Sequence, residues 1–186
     1  MTTNTDTPQT PRPGLMARLA RLWRHRWHDE HDVRRLLPPE AVERLGRRVA
    51  ASEARHTGQV RICVEAGLPW SYIRRGASAR DRAVTLFGKL RVWDTAQNNG
   101  VLIYLLVADH AIEILADRGI DAHVDAAEWA AMAQRMKGAF REGRFEDGLT
   151  QALEEVSALL VTHFPAEDGA EAPRRMNELP DLPVLL

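Results

Sequence analysis

Leu15, Leu19, Leu22, Trp23 and Trp27 recur at helical spacing, with Arg18, Arg21 and Arg24 mostly elsewhere on the wheel. The pattern predicts a basic amphipathic helical arm over residues 15–37, preceded by a disordered tail at 1–14. Pro38-Pro39 stops the arm and can open the next helix, because a first turn tolerates proline. Leu45 and Val49 mark the buried stripe of that second helix, which runs to about Arg55. From Gln59 to Glu65 the period changes to two, and Val60, Ile62 and Val64 share one face of a strand. Gly67 to Gly76 reads as loop. Ser78 with Asp81 three residues on is a helix start, followed by Ala83, Leu86, Phe87 and Leu90. Asn98-Asn99-Gly100 is turn chemistry, and Val101–Ala108 has the apolar run of a strand buried on both faces. Asp109-His110 then leads tightly into Ala111–Ala116, which predicts a β-hairpin. Asp125 with Glu128 opens a helix whose stripe is Trp129, Met132, Ala133, Met136 and Phe140. A last helix carries Phe145, Leu149, Leu153, Val156 and Leu160. Residues 166–186 read as a C-terminal tail beyond a domain at 38–165.

These elements fix a topology. Two strands joined by a helix are usually parallel neighbours in a right-handed crossover, and the hairpin adds a third strand antiparallel to the second. The start of strand one, the start of strand two and the end of strand three therefore share one edge of a small mixed α/β sheet. Thr57-Gly58, Asn98-Asn99-Gly100 and Asp117-Arg118-Gly119 lie there, with Asp121 just beyond and Glu53 and Asp94 within reach. Carboxylate, amide and hydroxyl oxygens on short glycine-bearing loops suit a hard cation, calcium or magnesium. The same residues also make ordinary turns and helix caps, so both readings stand. The opposite edge offers Glu65, Asp109 and His110 and is the poorer candidate.

Composition narrows the partners. The formal net charge of −1 over 186 residues argues against global attraction to nucleic acid. Between Arg12 and Trp27, however, there are five arginines and no acid. That stretch, residues 15–27, predicts a contact with a protein partner or a membrane surface. A single cysteine, Cys63, excludes an internal disulfide and reads as a buried structural thiol. No export signal or membrane-spanning run is evident, and the expected location is cytoplasmic, at most peripheral to the inner face of the membrane. The nucleophile and phosphate-loop motifs of common hydrolases are missing. His25, His28 and His31, spaced by three, spread around a helix and away from a common metal. His56 beside Thr57 reads as a surface or capping residue, with a role as acid or base the alternative. Arg80, Arg82 and Arg91 read as the solvated side of their helix.

Three blocks carry a resemblance. Ser52-Glu53-Ala54-Arg55-His56-Thr57-Gly58-Gln59-Val60 is the first. Val92-Trp93-Asp94-Thr95 leading to Asn98-Asn99-Gly100-Val101-Leu102-Ile103-Tyr104 is the second, and Ala116-Asp117-Arg118-Gly119-Ile120 the third. Together they resemble the TPM domain family (DUF477) from roughly Pro39 onward, and Asn177-Glu178-Leu179-Pro180-Asp181 is similar to the tail of its short bacterial branch. The resemblance implies a three-layer α/β/α sandwich. It also implies the calcium binding and acid phosphatase activity attributed to some members, a family linked to thylakoid membranes and photosystem II repair. Many members carry a signal peptide and a transmembrane anchor, which are not recognised here. Where other members often place an acid before the central strand, this chain has Asn98, which lowers the charge of the site. The expected function is a binding or interaction module with a divalent-cation site at Glu53, Asp94, Asn98, Asn99, Asp117 and Asp121. The alternatives are a metal-assisted phosphatase-like hydrolase and a peripheral membrane accessory protein.

Overall fold

The computed structural model describes residues 23, 25, 30–166 and 177–186. Most of the expected disordered tail and basic arm lies outside the described residues. The chain runs α1 (Glu30–Leu36), α2 (Pro39–Glu53), β1 (Gln59–Glu65), α3 (Trp70–Arg74), α4 (Ala79–Lys89), β2 (Gly100–Leu106) and β3 (Ala111–Ala116). It continues through α5 (Arg118–Asp121), α6 (Ala126–Arg141) and α7 (Phe145–His163) to β4 (Val184–Leu185). The expected mixed sheet is present, in the order β3-β2-β1-β4. β1 and β2 pair in parallel with α4 between them in the chain, and β2 and β3 form the antiparallel hairpin.

Two apolar faces require two layers of helix. Val60, Ile62 and Val64 of β1 join Val101, Ile103 and Leu105 of β2 in one core, covered by α1, α2, α6 and α7. Cys63, Leu102, Tyr104, Leu106 and Leu115 point into the other, covered by α3 and α4. The α4 N-terminus is the predicted capping box: Ser78 Oγ accepts from Asp81 N at 3.1 Å, and Ser78 N donates to Asp81 Oδ2 at 2.7 Å. Among the described residues no helix is long and apolar enough to cross a membrane.

Three readings change. The 67–76 loop contains the short helix α3, begun after Pro69. The C-terminal segment is not a tail throughout: residues 177–186 lie along the outer edge of β1. There Leu186 N donates to Val64 O at 2.9 Å, Ala66 N donates to Leu186 O at 2.8 Å, and Gln59 Oε1 accepts from Glu178 N at 2.9 Å and Leu179 N at 3.0 Å. Prolines 180 and 183 hide this strand from a periodicity reading, since proline is tolerated on a sheet edge but breaks the sequence pattern.

The third change is at Arg82, which is buried rather than solvated. Its guanidinium straddles the buried Glu65 carboxylate, with Nη2 to Oε1 at 2.5 Å and Nε to Oε2 at 2.9 Å, and Tyr104 donates to Oε2 at 2.6 Å. Burial and the adjacent Glu65 charge push the Tyr104 phenol well above its ordinary range. Burial likewise raises the Cys63 thiol to about 12, in keeping with a structural thiol. Removing one partner of such a pair strands a buried charge, whereas removing the whole group does not. Arg82→Met is expected to destabilise the protein by about 3–5 kcal/mol. The triple variant Glu65→Leu, Arg82→Met, Tyr104→Phe should lose far less, as measured by urea denaturation.

Candidate functional site

The rim predicted from topology exists because β1 and β2 start level with each other: Gln59 is in register with Gly100. The hairpin returns β3 to the same end, where Asp117 N donates to Gly100 O at 2.8 Å. Two glycines make the close approach possible. A Cβ on Gly100 would stand 1.9 Å from Val92 O, and one on Gly119 would stand 2.5 Å from Asn98 O and 2.6 Å from Gln97 O. Asn98 itself takes the left-handed conformation, φ 52°, which Asn adopts more readily than most residues. Its carbonyl accepts from Gly119 N at 2.8 Å, tying the second loop to the third.

The interior of the rim is a neutral hydrogen-bonded cluster. Asn99 is buried, and its Nδ2 donates to Thr57 Oγ1 at 3.1 Å and Gln97 Oε1 at 3.2 Å. Thr57 Oγ1 donates to Gln97 Oε1 at 2.5 Å, and Asn99 N donates to Thr95 Oγ1 at 3.1 Å. The C-terminal segment adds Glu178, whose Oε2 accepts from Ala96 N at 2.9 Å. Sequence reasoning missed Gln97, Thr95, Gln59 and Glu178. The first three carry no charge or pattern to mark them, and Glu178 arrives only because its segment docks on β1.

The six predicted site residues divide. Asn98, Asn99 and Asp117 meet at the rim. Asp117 Oδ1 accepts from Arg118 N at 2.8 Å, while its Oδ2 is buried without a hydrogen-bond partner among the described residues. Glu53 is bound differently: its Oε1 accepts from Val60 N at 2.7 Å, bridging the end of α2 to β1. Burial pushes this carboxyl up to about 7, against the opposing Val60 N–H and with a contribution from the Asp181 charge. Asp94 is exposed, with Arg91 Nη1 at 3.7 Å from its Oδ2. Asp121 is exposed and lines a separate cleft beside Trp129 and Ala116. Among the described residues no three of His, Cys, Asp and Glu group closely enough to hold a metal ion. The rim thus offers the Asp117 carboxyl group together with backbone carbonyls and side-chain amides.

His56 is buried rather than at the surface. Its Nδ1 lies 3.1 Å from Gly58 O, which can only accept, so Nδ1–H donates to it, and its Nε2 is hydrogen bonded to Ser52 Oγ at 2.9 Å. This clamps the end of α2 to the start of β1. At the opposite edge the buried His25 accepts from Leu68 N through Nδ1 at 3.1 Å. Its Nε2 lies 3.2 Å from Asp109 Oδ1.

Comparison with known proteins agrees with this architecture. The family model described as the TPM domain matches residues 31–159. A search of curated proteins gives no match. The NMR structure of the BA42 protein from the psychrophilic bacterium Bizionia argentinensis superposes with a TM-score of 0.67 at 26% identity, covering 80% of this chain and 94% of that one. The NMR structure of the N-terminal domain of a protein from P. gingivalis superposes with a TM-score of 0.56 at 17% identity, covering 72% of this chain and 83% of that one, a likeness of fold alone.

Two outcomes follow from the rim geometry. Gly119→Ala forces a methyl against two backbone carbonyls that cannot swing away, and should cost about 1–3 kcal/mol in denaturation experiments. Glu53 has a folded pKa near 7 against an ordinary value of 4.5, so folding takes up a proton. Its destabilising effect is absent below about pH 4.5, grows as pH rises and is complete above about 7. Thermal unfolding across that window should show Glu53→Gln, which keeps the acceptor for Val60 N, losing less stability with rising pH than the natural protein.

Proposed function

The chain belongs to the TPM domain family, and we propose that it serves as a binding module whose loop rim, at Asp117, Asn98 and Asn99, holds a divalent cation weakly. The observation that carries this reading is the buried, unpartnered Oδ2 of Asp117. A buried carboxylate oxygen without a donor is destabilising, and a cation beside it removes that penalty. The neighbouring loops supply oxygens of the type calcium accepts, and Gly119 lets the Gln97 and Asn98 carbonyls approach the 117–119 turn closely. Neutral Asn98 and the exposure of Asp94 keep the charge of the set low, which places its affinity at the weak end of calcium sites, with Kd on the order of 0.1–1 mM. Glu53 and Asp121 stand outside the set. Thr57, the rim hydroxyl, is tied to Gln97 and Asn99, and among the described residues no titratable side chain is hydrogen bonded to it. The rim therefore favours binding over hydrolysis.

Calorimetric titration of the full chain with calcium and with magnesium is the test. Calcium should bind in the stated range, and Asp117→Asn, which keeps an oxygen to cap Arg118 N, should abolish the heat. Silence from both cations at several millimolar, or binding unchanged in Asp117→Asn, would remove the proposal.

A further inference from the structure

Charge and exposed aromatic surface are distributed one-sidedly. Residues 66–97, which contain α3 and α4, carry Lys89 and five arginines against two acids, Asp81 and Asp94, in a chain whose formal net charge is −1. Both acids are engaged: Asp81 closes the α4 capping box, and Asp94 lies 3.7 Å from Arg91. Arg82 is spent on Glu65, and Arg80 faces Glu113. Arg74, Arg75 and Lys89 are left exposed and outside any ion pair among the described residues, the Arg75 guanidinium resting 3.9 Å over the Tyr72 ring. The same layer exposes tryptophan. Trp70 at the start of α3 is 62% exposed, Trp93 beyond the end of α4 is 51% exposed, and Val84 of α4 is exposed as well. Among the described residues the opposite layer of α1, α2, α6 and α7 exposes no tryptophan. α4 runs from the C-terminal end of β1 back to the start of β2, and its 11 residues make it roughly 16 Å long, so Trp70 and Trp93 stand toward its two ends. A third tryptophan, Trp23, is 65% exposed and is brought to the Trp70 end by His25. There His25 Nδ1 accepts from Leu68 N at 3.1 Å, and a Cβ on Gly67 would stand 2.8 Å from His25 O.

These features select a plane rather than a pocket. A protein interface gathers its apolar anchors into one buried centre. Here the tryptophans stand apart, with cationic side chains near each and only Val84 and Gly88 exposed on α4 between them. Tryptophan rings settle at the headgroup level of a bilayer, and lysine and arginine are drawn to anionic headgroups, so neither requires a preformed cavity. We propose that the α3–α4 layer is a face that lies on an anionic lipid bilayer, with Trp70 and Trp93 entering the interface and Arg74, Arg75 and Lys89 meeting lipid phosphates. The N-terminal sequence adds to the same attraction. It has five arginines and no acid between Arg12 and Trp27, and the His25 contact tethers that stretch at the Trp70 end of the layer. Each cation close to an anionic surface raises partitioning by about fivefold, which makes three exposed cations and their tethered neighbours a sufficient electrostatic contribution. This face is separate from the loop rim and does not depend on a cation there.

Vesicle flotation of the full chain in the presence of EDTA is the test. The protein is expected to float with phosphatidylcholine vesicles containing roughly one-third phosphatidylglycerol, to stay behind with pure phosphatidylcholine, and to be released as salt is raised. Arg74→Glu with Arg75→Glu should weaken partitioning by roughly tenfold or more, and Trp70→Ser with Trp93→Ser by a comparable factor. Arg47→Glu with Arg141→Glu changes the net charge equally on the opposite layer and should retain binding. All six positions are exposed, so none of these variants opens the core. Failure to float on anionic vesicles at low salt, the result expected of a protein-docking surface, would overturn the proposal. So would undiminished flotation of the Arg74 and Arg75 variant, which assigns binding to the N-terminal arginines alone, or an equal loss in the Arg47 and Arg141 variant, which assigns it to net charge.

Discussion

The structure depends on burying β2 completely. Every residue from Gly100 to Leu106 is buried, so this strand needs a neighbour on each edge and a layer of helix on each face. β1 and β3 provide the edges. α2, α6 and α7 cover one face and α4 the other, in the packing that an apolar central strand demands. Because β1 enters in parallel and β3 returns by a hairpin, three chain segments are compelled to meet at the β2 N-terminal end. The rim is thus a consequence of how the core is covered, and its oxygens are gathered by packing rather than by attraction to one another.

The two ends of the sheet solve the polar problem differently. At the rim, neutral amides and hydroxyls satisfy each other, and one carboxylate oxygen is left over at Asp117. On the α4 face, toward the other end, Glu65, Arg82 and Tyr104 form a closed, charged network with Tyr72 beside the guanidinium. A saturated network of that kind holds structure and has little left with which to recognise a ligand. The incomplete set is the one with capacity for chemistry. Glu53 belongs with the structural groups, since its oxygen is engaged by Val60 N.

The outer edges show a similar contrast. β1 is sealed by Val184 and Leu185 in register with Cys63 and Val64, with Arg61 Nη1 holding Leu182 O at 2.8 Å. β3 is left to the side chains of Arg80 and Glu113. β3 is flanked by α4 and α6, and its Ile112 and Ile114 are buried.

The sequence by itself determined the strands at 59–65 and 111–116, the capping box at Ser78, the crossover, the hairpin and so the existence of the rim. Each of these follows from local periodicity and turn chemistry read over a few residues. Only the tertiary structure decided that Arg82 turns inward to Glu65, that His56 is a buried clamp, that Asp121 leaves the rim for the cleft beside Trp129 and that Glu178 joins the rim from the C-terminal segment. Those outcomes depend on which distant surfaces come together. A charged or proline-bearing residue has no local period that records the partner waiting for it across the fold.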